Sequence, residues 1–250
     1  MSLFFHVLLL LLPTVVFGQD GAGQLAAHVV KQSPAGDVRA ALAKFIQFSE
    51  KYGLGMHLGK EKGDLIEYAV GQGLPETGPA VIFEMGCHSG DGTLSAISAL
   101  SERPGSTVIS TEANKGWLEG AKRVVKHALE GHETTFLPFI FNDDEDLELL
   151  LETLRTKYGI NQFDTVIFDH NEKLFLTHLK VIQARGFLKA GTTIYVDNVK
   201  RKGKVLRKYM EHVNTKSKRG YETEIKHVKK PYPDAVAIST WWGPTLTMEL

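Results

Sequence analysis

The sequence predicts an α/β protein: a Rossmann-like, seven-stranded, mostly parallel sheet with helices on both faces and a reversed last strand. Three observations predict it. From Val81 onward, short apolar runs alternate with longer stretches of helical periodicity, the pattern of parallel strands joined by crossover helices. The first of those strands runs through Gly86-Cys87-His88-Ser89-Gly90-Asp91-Gly92 into a helix, a layout that lets backbone N–H groups approach a ligand closely. The last two strands have no helix between them, so one of the pair must run against its neighbour.

The 250 residues are 43% hydrophobic and carry 29 basic and 29 acidic side chains. That is enough apolar material for one domain with a sizeable core, and the balanced charge gives no reason to expect a nucleic-acid partner. Residues 1–18 read as a signal peptide. Leu3 to Phe17 is apolar apart from His6, Pro13 and Thr14, and Gly18 closes a cleavable end. The run is short of the roughly 20 residues that span a bilayer. The expected location is therefore the secretory lumen or the outside of the cell, with no transmembrane span in the mature chain. The alternative is an uncleaved membrane anchor through residues 3–17. Cys87 is the sole cysteine, which excludes an internal disulfide, and in a tight loop it reads as a small residue that fits.

Residues 19–36 are Gly/Ala-rich and are expected to be a flexible lead-in with a little helix, ahead of a folded domain over 37–250. Asp37 is placed to cap a helix reaching Tyr52, with Ala41, Phe45 and Phe48 near one face and Gly53 and Gly55 beyond its end. Glu61 to Val70 is a second helix with Leu65, Ile66 and Ala69 as its stripe. The alternation then runs strand Val81–Phe83, helix Leu94–Leu100, strand Thr107–Thr111, helix Lys115–Leu129 and strand Thr134–Ile140. It continues with helix Asp143–Lys157, whose leading acids suit the helix dipole, strand Thr165–Phe168, helix Lys173–Arg185, strand Thr192–Val196 and helix Lys204–Val213. Strands Tyr221–Val228 and Ala235–Trp241, joined by Pro231-Tyr232-Pro233-Asp234, close the chain. Lys200 to Lys230 is rich in Lys and Arg and reads first as a solvated surface, with an anion-attracting patch as the other reading.

Ligands of an open parallel sheet bind outside the carboxyl ends of its strands, so the residue ending each strand is the one to inspect. The first strand leads to Glu84, the second to Glu112, the fourth to Asp169-His170 and the fifth to Asp197-Asn198. Glu112 is at a tolerable distance past the glycine loop to accept hydrogen bonds from a ribose. Asp169, Asp197 and Asn198 bring hard oxygens to one edge, which suits Mg²⁺ sharing its sphere with substrate. His170 is a possible further ligand but reads better as a packed or hydrogen-bonded ring. The plain alternative is that these acids cap loops.

Glu84-x-Gly86-x-x-x-Gly90 resembles the first motif of S-adenosylmethionine (AdoMet) methyltransferases, and the chain from about Met56 to Gly243 resembles the catechol O-methyltransferase family. Met56-His57-Leu58-Gly59-Lys60-Glu61-Lys62-Gly63 is similar to that family's segment lying against AdoMet. Glu112 matches its ribose-binding acid, Asp169-His170 its metal-binding Asp-His pair, and Asp197-Asn198 the pair that completes the metal site. The resemblance implies AdoMet held by Leu58, Glu84, Gly86, Gly90, Glu112 and Asp169, and Mg²⁺ held by Asp169, Asp197 and Asn198. It implies a monomer that methylates a hydroxyl of a catechol-like small molecule. The family's lysine base is replaced by Glu172, with Lys173 one position later, a turn of about 100° on a helix. Asn171 stands where the family has an aromatic, Leu54 and Lys202 stand where it has an apolar gate, and its late catalytic Glu falls near Lys226 and His227. Glu172 and Lys173 are the catalytic candidates. The other reading is a secreted, non-catalytic descendant with a binding or matrix role.

Overall fold

The structure is a computed structural model that describes residues 21–142, 145–214 and 219–244. The expected signal peptide or anchor lies outside the described residues. In chain order the elements are α1 (Gly21–Gln32), α2 (Val38–Tyr52), α3 (Gly59–Gly73), β1 (Val81–Met85), α4 (Asp91–Ser98), β2 (Thr107–Glu112), α5 (Lys115–Ala128) and β3 (Thr135–Ile140). They continue with α6 (Leu147–Tyr158), β4 (Phe163–Phe168), α7 (Phe175–Ala184), β5 (Leu188–Val196), α8 (Gly203–Val213), β6 (Tyr221–Val228) and β7 (Asp234–Trp241). No helix among the described residues is long and apolar enough to cross a membrane.

The strands form one sheet in the order β3-β2-β1-β4-β5-β7-β6. The first five pair in parallel, and β7 runs antiparallel between β5 and β6, as the missing helix between the last two strands requires. Apolar side chains that alternate along the strands fill two cores. One lies under α1 to α5 around Phe45, Ile66, Ile82 and Ile167. The other lies under α6 to α8 around Phe83, Phe163, Phe168 and Phe175. Pro138, which cannot donate to a ladder, sits in β3 at the sheet edge. Because β1 lies between β2 and β4, the winding reverses there. Their carboxyl ends therefore open the cleft in which ligands of this architecture bind.

Local signals set most boundaries. The Asp37 carboxylate accepts from Ala40 N at 2.8 Å and caps α2, and Gly53 in the left-handed region ends it. Asp146 caps α6, so that helix begins after the expected Asp143, which lies outside the described residues. One expectation changes. The lead-in over 19–36 holds a complete helix, α1, whose Leu25, Ala26 and Val29 are fully buried. Ala22 packs against Gly120 of α5, where a Cβ would come within 3.0 Å of it. The reason is legible afterwards: Ala22, Leu25, Ala26 and Val29 recur at helical spacing, and small residues allow close helix approach.

Leu25→Ala should therefore lower stability by about 2–5 kcal/mol in urea unfolding, the cost of a core cavity. A loss below about 0.5 kcal/mol, typical of a surface change, would detach α1 from the fold.

Candidate active site

A cleft of about 670 Å³ opens at the carboxyl ends of β1, β2, β4 and β5. Its floor is Gly86. Gly86 N and Cys87 N donate to Thr111 O at 3.0 and 2.9 Å, and Asp169 N donates to Met85 O at 2.9 Å, so the loop is clamped between its neighbouring strands. Gly86 has φ +90°, and a Cβ there would overlap the Asp169 carbonyl; only glycine fits. Leu58 forms part of the wall, its N–H donating 2.7 Å to the buried Asp91 carboxylate. Burial pushes Asp91 up to about 6.

Two members of the expected AdoMet set do not line the cleft. Glu84 is buried under it, accepting from Thr93 Oγ1 at 2.5 Å and Ser110 Oγ at 2.6 Å. It braces β1, β2 and α4, and burial raises it to about 7 against those two hydrogen bonds. A strand alternates its faces, so the carboxylate one residue before the end of β1 turns into the protein. Gly90 has φ +102° and serves as the turn into α4, its Cα facing Ala121 of α5. Glu112 does line the cleft, and it also accepts from His88 N and Asn114 N, each at 2.8 Å. Next to it His88 stacks on Trp117 with ring centroids 3.9 Å apart. Burial holds His88 down to about 4, and its Nε2 faces the buried wall with no hydrogen bond. An aromatic shelf, a polar atom seeking a partner and a carboxylate together suit a purine nucleoside.

The metal candidates converge. Asp169, Asp197 and Asn198 line the same cleft, with Asn198 in the left-handed region at φ +62°, which this residue type tolerates. A residue that the sequence reading placed only in the AdoMet segment is central here. Lys62 is fully buried, and its ammonium donates to Asp197 Oδ2 at 2.9 Å and Asp234 Oδ2 at 3.0 Å. It lies 2.8 Å from Asp197 Oδ1, an oxygen that receives no hydrogen bond. Burial lowers the Lys62 ammonium, but Asp197 and Asp234 outweigh that and hold it charged. Burial and then the neighbouring Asp197 push Asp169 well above the carboxylate range. Among the described residues no group of three His, Cys, Asp or Glu forms a metal site. The set here is two carboxylates and an amide. The hard oxygens of this set and the mutual repulsion of Asp169 and Asp197 fit a hard divalent cation.

The substrate end differs from expectation. Glu172 faces the cleft and pairs with Lys202, 3.3 Å away, which lines it too. Lys173 is exposed outside it, and Leu54 is buried behind it, so Met56 takes the place at the mouth. Lys226 pairs with Glu224 at 2.7 Å and lies over Tyr68, away from the site. His170 stacks with His178, Nε2 to Nδ1 2.9 Å, as packing rather than ligation. Tyr232, from the turn between β6 and β7, and Arg201 complete the rim and carried no signal in the sequence beyond the basic stretch.

No family model matches the chain. In sequence it is 24% identical over 185 residues to bovine catechol O-methyltransferase, covering 74% of this chain and 64% of that one. It is 26% identical over 222 residues to the rat transmembrane O-methyltransferase homolog, covering 87% and 80%. In structure it matches an O-methyltransferase of Bacillus cereus solved in complex with SAH, with TM-score 0.62, 18% identity and coverage of 80% and 90%.

The Glu84 carboxyl gives a pH test. Its folded value of about 7 lies above the ordinary 4.5, so the native state binds the proton more tightly. Stability therefore rises as pH falls through that window, and above it the charged form costs on the order of 3 kcal/mol. Glu84→Gln should flatten the stability–pH curve between pH 4.5 and 7 in chemical unfolding. A slope equal to wild type would refute the buried titration.

Proposed function

We propose that this chain, a relative of the catechol O-methyltransferase-like O-methyltransferases, transfers a methyl group from AdoMet to a hydroxyl of a catechol-like small molecule with Mg²⁺ as cofactor. The observation that carries this reading is the convergence of Gly86, Glu112, Asp169, Asp197 and Asn198 on one cleft at the switch point of the sheet.

Gly86, Leu58 and the His88–Trp117 pair would hold AdoMet, which would supply an electrophilic methyl. Asp169, Asp197 and Asn198 would hold Mg²⁺, which would supply a Lewis acid for a substrate hydroxyl. The chain's own part is positional and electrostatic. Gly86 lets the backbone approach the donor. Glu112 accepts from the ribose while its two backbone bonds fix it in place. Lys62 holds the Asp197 carboxylate in place from behind. Glu172 takes the hydroxyl proton, and its pairing with Lys202 fixes its direction. Lys173, outside the cleft, has no part. With the leader expected over residues 1–18, the protein works in the secretory pathway; N-terminal sequencing of the native protein should start after Gly18, and a start at Met1 would replace the cleaved leader with the uncleaved membrane anchor through residues 3–17.

Calorimetric titration should show AdoMet binding, and Mg²⁺ should be required for methylation of catechol. Asp169→Ala should abolish that turnover; unchanged turnover would sink the metal assignment. No AdoMet binding with or without Mg²⁺ would favour the non-catalytic alternative. Glu172→Gln should lower kcat by about 10²–10⁴-fold, the usual weight of a general base, with AdoMet affinity intact. A variant within twofold of wild type removes Glu172 from proton transfer.

A further inference from the structure

An acid cluster and a basic stretch lie side by side at the cleft. Asp169 and Asp197 line it, and with Asp234 they outnumber the single ammonium of Lys62. Beside them, residues 200–204 read Lys-Arg-Lys-Gly-Lys, and no acid follows before Glu211. Lys202 is committed to Glu172. Arg201 forms no ion pair among the described residues, although it lines the cleft.

Arg201 is exposed, yet it is held in place. Its guanidinium carbon lies 4.0 Å from the centroid of the Tyr232 ring, and its backbone N–H donates to Asp234 Oδ1 at 3.0 Å. Tyr232 is itself seated from below. Lys62 Nζ lies 4.9 Å from its ring centroid, and Lys229 N donates to Glu61 Oε2 at 2.6 Å, tying the turn to α3. Pro231 closes against Gly59, where a Cβ would come within 3.1 Å of its Cδ. A stacked guanidinium loses less freedom on binding than a free one, and its fork matches a carboxylate with two parallel hydrogen bonds. Met56, Trp117, Phe141 and Tyr232 supply the apolar or aromatic part of the lining.

Resting on the methyl-transfer reading, we propose that the substrate is a hydroxylated aromatic acid. Its carboxylate is bound by Arg201 while its hydroxyls face Asp169, Asp197 and Asn198. A neutral diol would satisfy the acids and leave Arg201 unmatched. The neighbouring Lys200 and Lys204 add a field that draws an anion to Arg201.

The test is a pair of calorimetric titrations, 3,4-dihydroxybenzoate against catechol, on the full chain with S-adenosylhomocysteine and Mg²⁺, which permit binding without turnover, and again without them. Wild type should bind the acid about 10–100-fold more tightly, and Arg201→Gln should bring the two affinities together. Arg201→Lys, which keeps the charge and loses the fork, should recover part of the preference. Equal affinities in wild type, a preference that survives Arg201→Gln, or no binding of the acid would each overturn the proposal. AdoMet titrated in the same series separates the two readings. Failure of AdoMet to bind, with an Arg201-dependent preference intact, ends the methyl-transfer reading and leaves the anion site standing.

Discussion

The buried ammonium of Lys62 is the constraint on which the site depends. It joins three elements far apart in the chain: α3, which carries it, the end of β5 at Asp197, and the start of β7 at Asp234. An ammonium with no exposed surface is tolerable only with close, hydrogen-bonded counter-charges, and removing one partner of such a pair typically costs about 3–5 kcal/mol. The same contact settles the direction of Asp197, so the metal edge and the packing of α3 are one arrangement. It also explains why β7 must begin with an acid: Asp234 accepts from Lys62, from Ala235 N and from Arg201 N at once.

From that centre the charges of the cleft fall into order. Lys62 balances only part of the acid cluster, which leaves Asp169 raised by burial and by Asp197. Asp234 passes the constraint outward to Arg201, and Tyr232 carries it to the rim. On the other side Glu112 and the His88–Trp117 stack depend on the loop held by Gly86, whose missing Cβ lets β4 and the loop touch. The glycine floor, the carboxylate edge and the rim are therefore separable in chemistry but share a few clamped backbone segments.

Much of this was legible from local pattern. The strand ends at Glu112, Asp169, Asp197 and Asn198 were found because short apolar runs stop abruptly at polar residues, and a parallel sheet gathers such ends on one side. Helix α1 was read only as a loose lead-in with a little helix, because glycine and alanine masked its stripe. Glu84 was assigned to the ligand because it lies within the motif, whereas one residue of strand alternation turns it inward to Thr93 and Ser110. Glu172 and Lys173 were left as a pair, and only the start of α7 shows which of them faces the cleft.

What the sequence by itself determined is the kind and order of elements, the reversed last strand, the glycine floor and the row of acids, because each is written in spacing over a few residues. What only the tertiary structure decided is which side chains complete the site: Lys62 with Asp197 and Asp234, Glu172 with Lys202, Arg201 on Tyr232. The physical reason is range. Periodicity records whether a residue faces a core, but Lys62 meets partners 135 and 172 positions away, and that meeting is set by strand order and helix packing.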